Sequence, residues 1–176
     1  MRHKKQFGAF LLAAFALLAG GCSDGNEDYD GPEEGDIWDI YPYAINIVVT
    51  DEAGNDLLDP EAEGSIADQG IKAILGEMVF EKDSLPFGPE TKAVQVVFYG
   101  LRTVQLNDGR RALSLGSFNG SENREPTDFF LDWNDGTPRD TITFSHSFWW
   151  EDHLPQSQTR VWLNGEETEV PVHIIR

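Results

Sequence analysis

The sequence predicts an all-β protein built as a two-sheet sandwich, and three observations support that fold class. Apolar and polar residues alternate with a period of two in several short segments, as expected for strands with one buried face. Turn motifs of asparagine, aspartate and glycine separate these segments at short intervals. No segment keeps the 3.6-residue period of a long helix. Antiparallel hairpins with one apolar face stack most simply as two sheets.

The predicted domain covers residues 40–176 and opens with the strand in YPYAINIVVT. Tyr43, Ile45, Ile47 and Val49 recur at every second position, which places them on one face of a strand. DEAGND follows as a turn. The first strand is therefore expected to bury one face and expose the other.

Three later turns predict β-hairpins. The turn sequences are Asn107-Asp108-Gly109, Asn134-Asp135-Gly136 and Asn164-Gly165, and each separates two alternating segments. Asparagine, aspartate and glycine tolerate the positive φ that tight hairpin turns require. Each of these segment pairs is therefore expected to fold as an antiparallel hairpin.

A fourth hairpin is predicted at Gly76-Glu77, between IKAIL and MVFEKD. The apolar residues around it would also fit one helical turn, so that alternative stays open. With AVQVVFYGL, residues 93–101, the count reaches nine or ten strands. An immunoglobulin-like or related Greek-key β-sandwich is the preferred arrangement. A partly closed β-barrel around a ligand cavity is the alternative.

Residues 1–21 have the layout of a secretory signal peptide. A basic start is followed by the apolar run from residue 7 to residue 18 and by Ala19-Gly20-Gly21. The run is shorter than the roughly 20 apolar residues that a bilayer-spanning helix needs. Cys22, the single cysteine of the chain, comes directly after it.

Residues 18–22, Leu-Ala-Gly-Gly-Cys, resemble the lipobox of bacterial lipoproteins, in which the cysteine is lipidated. The usual leucine three places before the cysteine is Ala19 here, and Leu18 lies one place earlier. The resemblance implies lipidation of Cys22 and attachment to a membrane through that lipid. SDGNED, directly after Cys22, resembles the acidic surface-export signal of Bacteroidota lipoproteins. It implies an outer-membrane protein that faces the cell exterior.

From about residue 40 to the end, the chain also resembles a group of small Bacteroidota surface lipoproteins whose activity is not known. The resemblance rests on four stretches, which read DEAGNDLLDP, FYGLR, DWNDGT and LNGEE in this sequence. It covers most of the predicted domain. It implies a surface β-domain and brings no activity with it.

Residues 22–39 are predicted to form the lipidated cysteine and a disordered acidic tether. Eight carboxylates and no lysine or arginine lie between Ser23 and Asp39, so this segment has little with which to bury a core. The whole chain has a net charge of −18, which repels phosphate backbones and argues against nucleic acid as a partner. Disulfides and thiolate metal sites are excluded, because no cysteine follows Cys22.

SFWWEDHLPQ holds two adjacent tryptophans, Trp149 and Trp150, which a strand would turn to opposite faces. An exposed indole beside Glu151 and His153 would stack on a sugar ring and hydrogen-bond its hydroxyls. These four residues are therefore a candidate glycan-binding site. Packing of the second tryptophan under a loop or on an edge strand is the alternative. His146 lies in phase with the core-facing positions and is expected in the interior rather than as a ligand.

DWNDGTPRD offers a candidate calcium site. Asp132, Asn134, Asp135 and Asp140 supply oxygen ligands close together in the sequence. The loop departs from the EF-hand pattern, because Gly136 stands at position 5, where that pattern needs a ligand. The alternative is a hairpin turn whose side chains hydrogen-bond the turn's own backbone.

No catalytic motif is found, so neither an enzyme nor a bound cofactor is expected. Ser84 and Thr141, in the triplets DSL and DTI, resemble the O-glycosylation motif of exported Bacteroidota proteins. Taken together, the sequence predicts a lipid-anchored binding or structural module at the outer membrane. A carbohydrate-binding accessory lipoprotein is the alternative. A surface glycan or a protein is the expected type of partner.

Overall fold

A computed structural model describes residues 31–33, 35–84 and 100–176, and these residues form a β-sandwich. The strands are β1 (Tyr43–Thr50), β2 (Lys72–Leu75), β3 (Met78–Glu81), β4 (Leu101–Gln105), β5 (Arg111–Phe118), β6 (Arg124–Asp132), β7 (Asp140–Glu151), β8 (Leu154–Leu163), β9 (Glu166–Thr168) and β10 (Val172–Ile175). One sheet has the order β10-β1-β5-β4 and the other β3-β2-β6-β7-β8-β9. The predicted β-sandwich is confirmed, with two separate sheets rather than a partly closed barrel. The described residues hold no helix with the length and apolarity to cross a membrane.

The core lies between the two sheets and follows the predicted alternation. In β1, Ile45, Ile47 and Val49 are fully buried, as the period of two requires. The alternation ends after Ile47, because Val48 and Thr50, on the face predicted to be exposed, are buried as well. The Thr50 hydroxyl is 2.8 Å from the Nε2 atom of His173, and its backbone forms a bridge with the following loop. The chain itself therefore covers this end of the second face of β1.

The hairpins predicted from Asn-Gly and Asp-Gly turns are confirmed. β4 pairs with β5, β6 with β7 and β8 with β9, each antiparallel. Asn134, Asn164 and Gly165 have φ values of +58°, +52° and +90°. These are left-handed conformations, which glycine and asparagine adopt more readily than other residues. The fourth turn is also a hairpin: β2 pairs with β3, and Ile74 lies opposite Val79. The helical alternative at this turn is therefore wrong.

The longest hairpin carries no such turn signal. β7 and β8 are paired from Ile142 and Leu163 to Glu151 and Leu154. Their turn is formed by Asp152 and His153, with φ values of +49° and +62°. Neither residue is glycine or asparagine, so the extensive pairing of the two strands holds this turn in place.

One further segment differs from the prediction, and another lies mostly outside the described residues. EETEVPVHII divides into β9 and β10, which lie in different sheets, and β10 runs parallel to β1. Pro171 lies between them and has no N–H to donate to a sheet, which explains why β9 does not continue. Most of the strand predicted at AVQVVFYGL lies outside the described residues; its last residue, Leu101, begins β4.

The two ends of the sandwich differ in what they carry. β7 has 12 residues and therefore spans about 40 Å between them. At one end, called the strap end, the β7–β8 turn meets the strap, defined as the described residues 31–33 and 35–42 that lead into β1. At the other, called the distal end, lie the turns or loops 51–70, 107–109, 133–139 and 164–165.

Two tryptophans allow core packing to be compared with surface exposure. Trp133 is buried, and its Nε1 donates to Asp140 over 2.8 Å. Changing it to alanine leaves a cavity and an unpaired carboxylate oxygen, so we expect Trp133→Ala to lower the free energy of unfolding by about 3–5 kcal/mol. Trp149, which lies on the surface with 42% of its area exposed, is the control, with an expected effect of about 1 kcal/mol or less. Urea denaturation of both variants measures the difference, and equal losses would contradict the assigned core.

Candidate functional site

The candidate site lies on the outer face of the six-stranded sheet. Along β7 the even-numbered residues from Ile142 to His146 are buried, so the odd-numbered residues face outwards. Ser145, Ser147 and Trp149 share this face, and 42% of the Trp149 surface is exposed. An indole ring therefore stands open beside a row of small hydroxyl side chains.

A groove of about 530 Å³ runs along this face, between the start of β6 and the β7–β8 pair. Trp149 lines it towards the strap end, while Trp162 and Arg160 line it further along β8. The Arg160 guanidinium lies 5.1 Å above the Trp162 ring, which covers that ring. Phe148, which also lines the groove, packs edge-to-face against Trp150. Of the three phenylalanine and tryptophan rings that line the groove, Trp149 is the exposed one and is therefore the ring available to stack on a ligand.

One of the two arginines that line the groove, Arg160, is paired with a carboxylate. Arg160 donates two hydrogen bonds of 2.9 Å to the carboxylate of Glu167. These bonds lower the pKa of the Glu167 carboxyl below its ordinary value. Both partners are exposed, so the pair fixes the position of the guanidinium more than it stabilises the fold.

The structure does not bring the four residues predicted as a glycan site together on one face. Trp149 and Glu151 lie on the outer face. Trp150 points to the other face, where its ring meets Trp38 of the strap edge-to-face, with ring centroids 6.3 Å apart. His153 donates from Nδ1 to the carbonyl oxygen of Gly31 over 2.6 Å. Trp150 and His153 thus hold the strap, and Trp149 is the aromatic side chain of the four that lines the groove.

The described residues 31–33 and 35–39, which the sequence analysis assigned to the tether, contact Trp150 and His153 of the domain. The chain passes so close to Gly120 that a Cβ atom there would collide with the carbonyl oxygen of Tyr41. Only glycine allows this approach. The composition of this segment does not predict the contact, because the acidic residues around Trp38 are typical of a tether.

His146 lies in the interior, as its phase predicted. Its Nδ1 is 2.8 Å from the Thr159 hydroxyl, and its Nε2 is 3.0 Å from the carbonyl oxygen of Gly120. The ring of Tyr43 stacks on it, with centroids 4.1 Å apart. The imidazole therefore joins β7, β8, the start of β1 and the turn before β6, with both nitrogens in contact with protein atoms.

The predicted calcium ligands belong to the β6–β7 turn. Asp132 accepts hydrogen bonds from the backbone N–H of Asn134 and from Nε of Arg139. Asp135 accepts from the backbone N–H and the hydroxyl of Thr137. These carboxylates bond to the turn itself, as the hairpin alternative proposed.

Asp140 and Arg176 connect this turn to neighbouring segments of the distal end. Asp140 accepts from Nε1 of Trp133 and from the side-chain amide of Asn164, each over 2.8 Å. Arg176 donates to Asp135 over 2.6 Å, and its guanidinium lies 4.4 Å above the Trp133 ring. Within the described residues, no three histidine, cysteine, aspartate or glutamate side chains come together in a group that could hold a metal ion.

The modification sites predicted from short motifs lie in different settings. Ser84 is exposed, and its hydroxyl donates to the carbonyl oxygen of Glu81 over 2.8 Å. Thr141 is the second residue of β7, and its backbone is bonded to Asn164 of the neighbouring turn. Cys22, with the rest of residues 1–30, lies outside the described residues.

No protein-family model, no curated protein and no solved structure matches this chain. Similarity therefore assigns no function, and the described side chains have to support one. The sequence pattern identified Trp149 as a candidate site residue, whereas Arg160 and Trp162 were not identified. Their signal is the period of two in RVWL, which puts both on the face that Ser145 and Trp149 occupy.

We expect the turn carboxylates to make the free energy of unfolding depend on pH in the acid range. Hydrogen bonds from Thr137 lower the pKa of Asp135, and the backbone N–H of Asn134 lowers that of Asp132, both from an ordinary value of 3.8. A depressed pKa in the folded state means that the unfolded chain takes up protons first. We therefore expect the free energy of unfolding to fall as the pH drops below 3.8, through the folded-state values.

The measurement is urea denaturation at a series of pH values. Asp135→Asn removes one of the titrating groups and should flatten the dependence, whereas Glu52→Gln, at an exposed position in another turn, should leave it unchanged. An unaltered slope in Asp135→Asn would show that this carboxylate does not contribute to the acid dependence.

Proposed function

We propose that this chain is a lipid-anchored outer-membrane lipoprotein whose β-sandwich faces the cell exterior and acts as a binding module. The proposed anchor rests on the signal-like residues 1–21 and on the lone Cys22 that follows them. Lipidation at such a cysteine would supply several acyl chains. Each buried CH₂ contributes about 0.8 kcal/mol, and more than one chain is needed for stable attachment.

The groove on the outer sheet face is the observation that supports a binding role. Trp149 lines this groove with 42% of its surface exposed, and Ser145 and Ser147 line it on the same face. Trp149 lies opposite Gln156, and Ser147 lies opposite Gln158. The ring therefore has amide and hydroxyl groups beside it, on the same face.

A neutral saccharide is the ligand class that these groups favour. The C–H groups of a pyranose ring carry partial positive charge and would meet the negative face of the indole. Serine hydroxyls and glutamine amides both donate and accept hydrogen bonds, as sugar hydroxyls do. Arg160 is paired with Glu167, so the charge of this guanidinium does not require an anionic ligand.

The acidic surface supports the exclusion of nucleic acid as a partner. The net charge of −18 would repel phosphate groups. Glu125 lines the groove together with Arg160, so the groove itself carries both signs of charge.

Lipidation can be tested at its single residue. Produced as the full chain in a Gram-negative host with a palmitate analogue, the wild-type protein should carry label and sediment with membranes. We expect Cys22→Ser to lose the label and to leave the membrane fraction, because no other cysteine can take its place. Ser23→Ala is the matched control and should keep both properties. An unlabelled wild-type chain would refute the anchor.

The saccharide site can be tested with a panel of neutral oligosaccharides of glucose, mannose, galactose and xylose. We expect Trp149→Ala to lose at least about tenfold in affinity, ~1.4 kcal/mol, and Trp149→Phe to retain binding, because it keeps a ring face. Ile175→Ala removes an exposed apolar side chain from the other sheet and should bind as the wild type does. Equal binding by Trp149→Ala and the wild type would refute the site.

A further inference from the structure

The strap end carries a group of exposed apolar side chains that the groove does not use. Ile37 is 93% exposed, Tyr41 78%, Leu154 48% and Trp38 39%. The first two lie in the strap, with Trp38, and Leu154 follows the β7–β8 turn. Trp38 rests on Trp150, which brings the strap next to this turn. Leu154 is paired with Glu151 on the outer face, whereas Trp38 meets Trp150 on the opposite face, and all four apolar residues lie at this end of the sandwich.

The strap also fixes where the chain leaves the domain. Gly31 is buried, and its carbonyl oxygen accepts a hydrogen bond from His153 in the β7–β8 turn. Gly31 is nine residues after Cys22, and nine residues span at most roughly 30 Å. β7 alone spans about 40 Å from the strap end to the distal end. An anchor at Cys22 would therefore hold the strap end, and not the distal end, close to the membrane.

We propose that the strap end is a membrane-facing surface, on which Ile37, Tyr41 and Leu154 contact the headgroup region of the lipid bilayer. This inference rests on the proposed lipidation of Cys22. Tyrosine and tryptophan are favoured at such interfaces, because an apolar ring and a polar tip suit the boundary between water and hydrocarbon. The bilayer interface is therefore a chemically suitable partner for the exposed apolar side chains of the strap.

The charged groups of the strap end limit how deep this contact goes. Glu33, Asp36 and Asp39 lie on the strap, and Glu151 and Asp152 lie at the turn. Carboxylates are costly to bring into hydrocarbon and are repelled by anionic headgroups. The surface therefore rests at the level of the headgroups, and the contact is weaker on anionic lipids than on zwitterionic ones.

The test uses the lipidated full chain in vesicles of phosphatidylcholine and phosphatidylethanolamine. Acylation of Cys22 leaves no free thiol, so one introduced cysteine can be labelled alone with a fluorophore. Glu151→Cys places the label at the strap end, and Asn107→Cys places it in the β4–β5 turn of the distal end. Nitroxide lipids, labelled at the headgroup, quench the fluorophores that lie near the bilayer.

We expect the label at position 151 to be quenched several-fold more than the label at position 107. Adding Ile37→Ser and Tyr41→Ser should reduce that quenching, whereas Ile175→Ser, an exposed apolar residue of β10, should not. Vesicles containing phosphatidylglycerol should also reduce it.

Each other outcome refutes a defined part of the proposal. Equal quenching at both positions of vesicle-bound protein would overturn the orientation while leaving the lipid anchor intact. Unequal quenching that survives both serine substitutions would overturn the contact of Ile37 and Tyr41 with the headgroups. Wild-type protein that fails to float with vesicles would overturn the anchor of the proposed function and this inference with it.

Discussion

Most of the described structure depends on β7, because β6 pairs with it from Asp140 to His146 and β8 pairs with it from Ile142 to Glu151. β6 and β8 flank it, so its two faces are fixed as one inner and one outer surface. Its inward residues Ile142, Phe144 and His146 join the core or line its edge, while outward Ser147 and Trp149 belong to the groove. A strand shifted by one residue would exchange these two sets. One register therefore determines both the core and the candidate site.

His146 extends this constraint to the other sheet and to the strap. The imidazole stacks on Tyr43 at the start of β1, and Nε2 contacts the carbonyl oxygen of Gly120. Gly120 in turn lets the backbone at Tyr41 pass close by. A buried polar side chain with both nitrogens hydrogen-bonded favours one arrangement over others, because any shift leaves a buried group unpaired. His146 thus couples the position of the strap to the packing of the sandwich, in addition to the contacts of Trp150 and His153 with the strap.

The sequence predicted the features that local chemistry determines and missed those that tertiary pairing imposes. Hairpins at Asn164-Gly165 and the other glycine turns were predictable, since these residues adopt positive φ at low cost. The Asp152-His153 turn was not, because the pairing of β7 with β8 holds two unfavourable residues there. The phase of Trp149 was predictable from alternation. The covering of Trp162 by Arg160 depends on two side chains meeting on one strand face, which residue types alone do not specify.

The groove and the proposed membrane surface together constrain how a ligand can approach. Trp149 is three residues from the Asp152-His153 turn, about 10 Å along the strand, so the open indole lies nearer the strap end than the distal end. If the strap end rests on the bilayer, the ring faces sideways, close to the headgroups. A saccharide chain that extends along the membrane surface would reach it directly, whereas a ligand arriving from above would first meet the carboxylates of the distal turns. If both proposals hold, surface-borne saccharides would therefore reach Trp149 more readily than soluble ones.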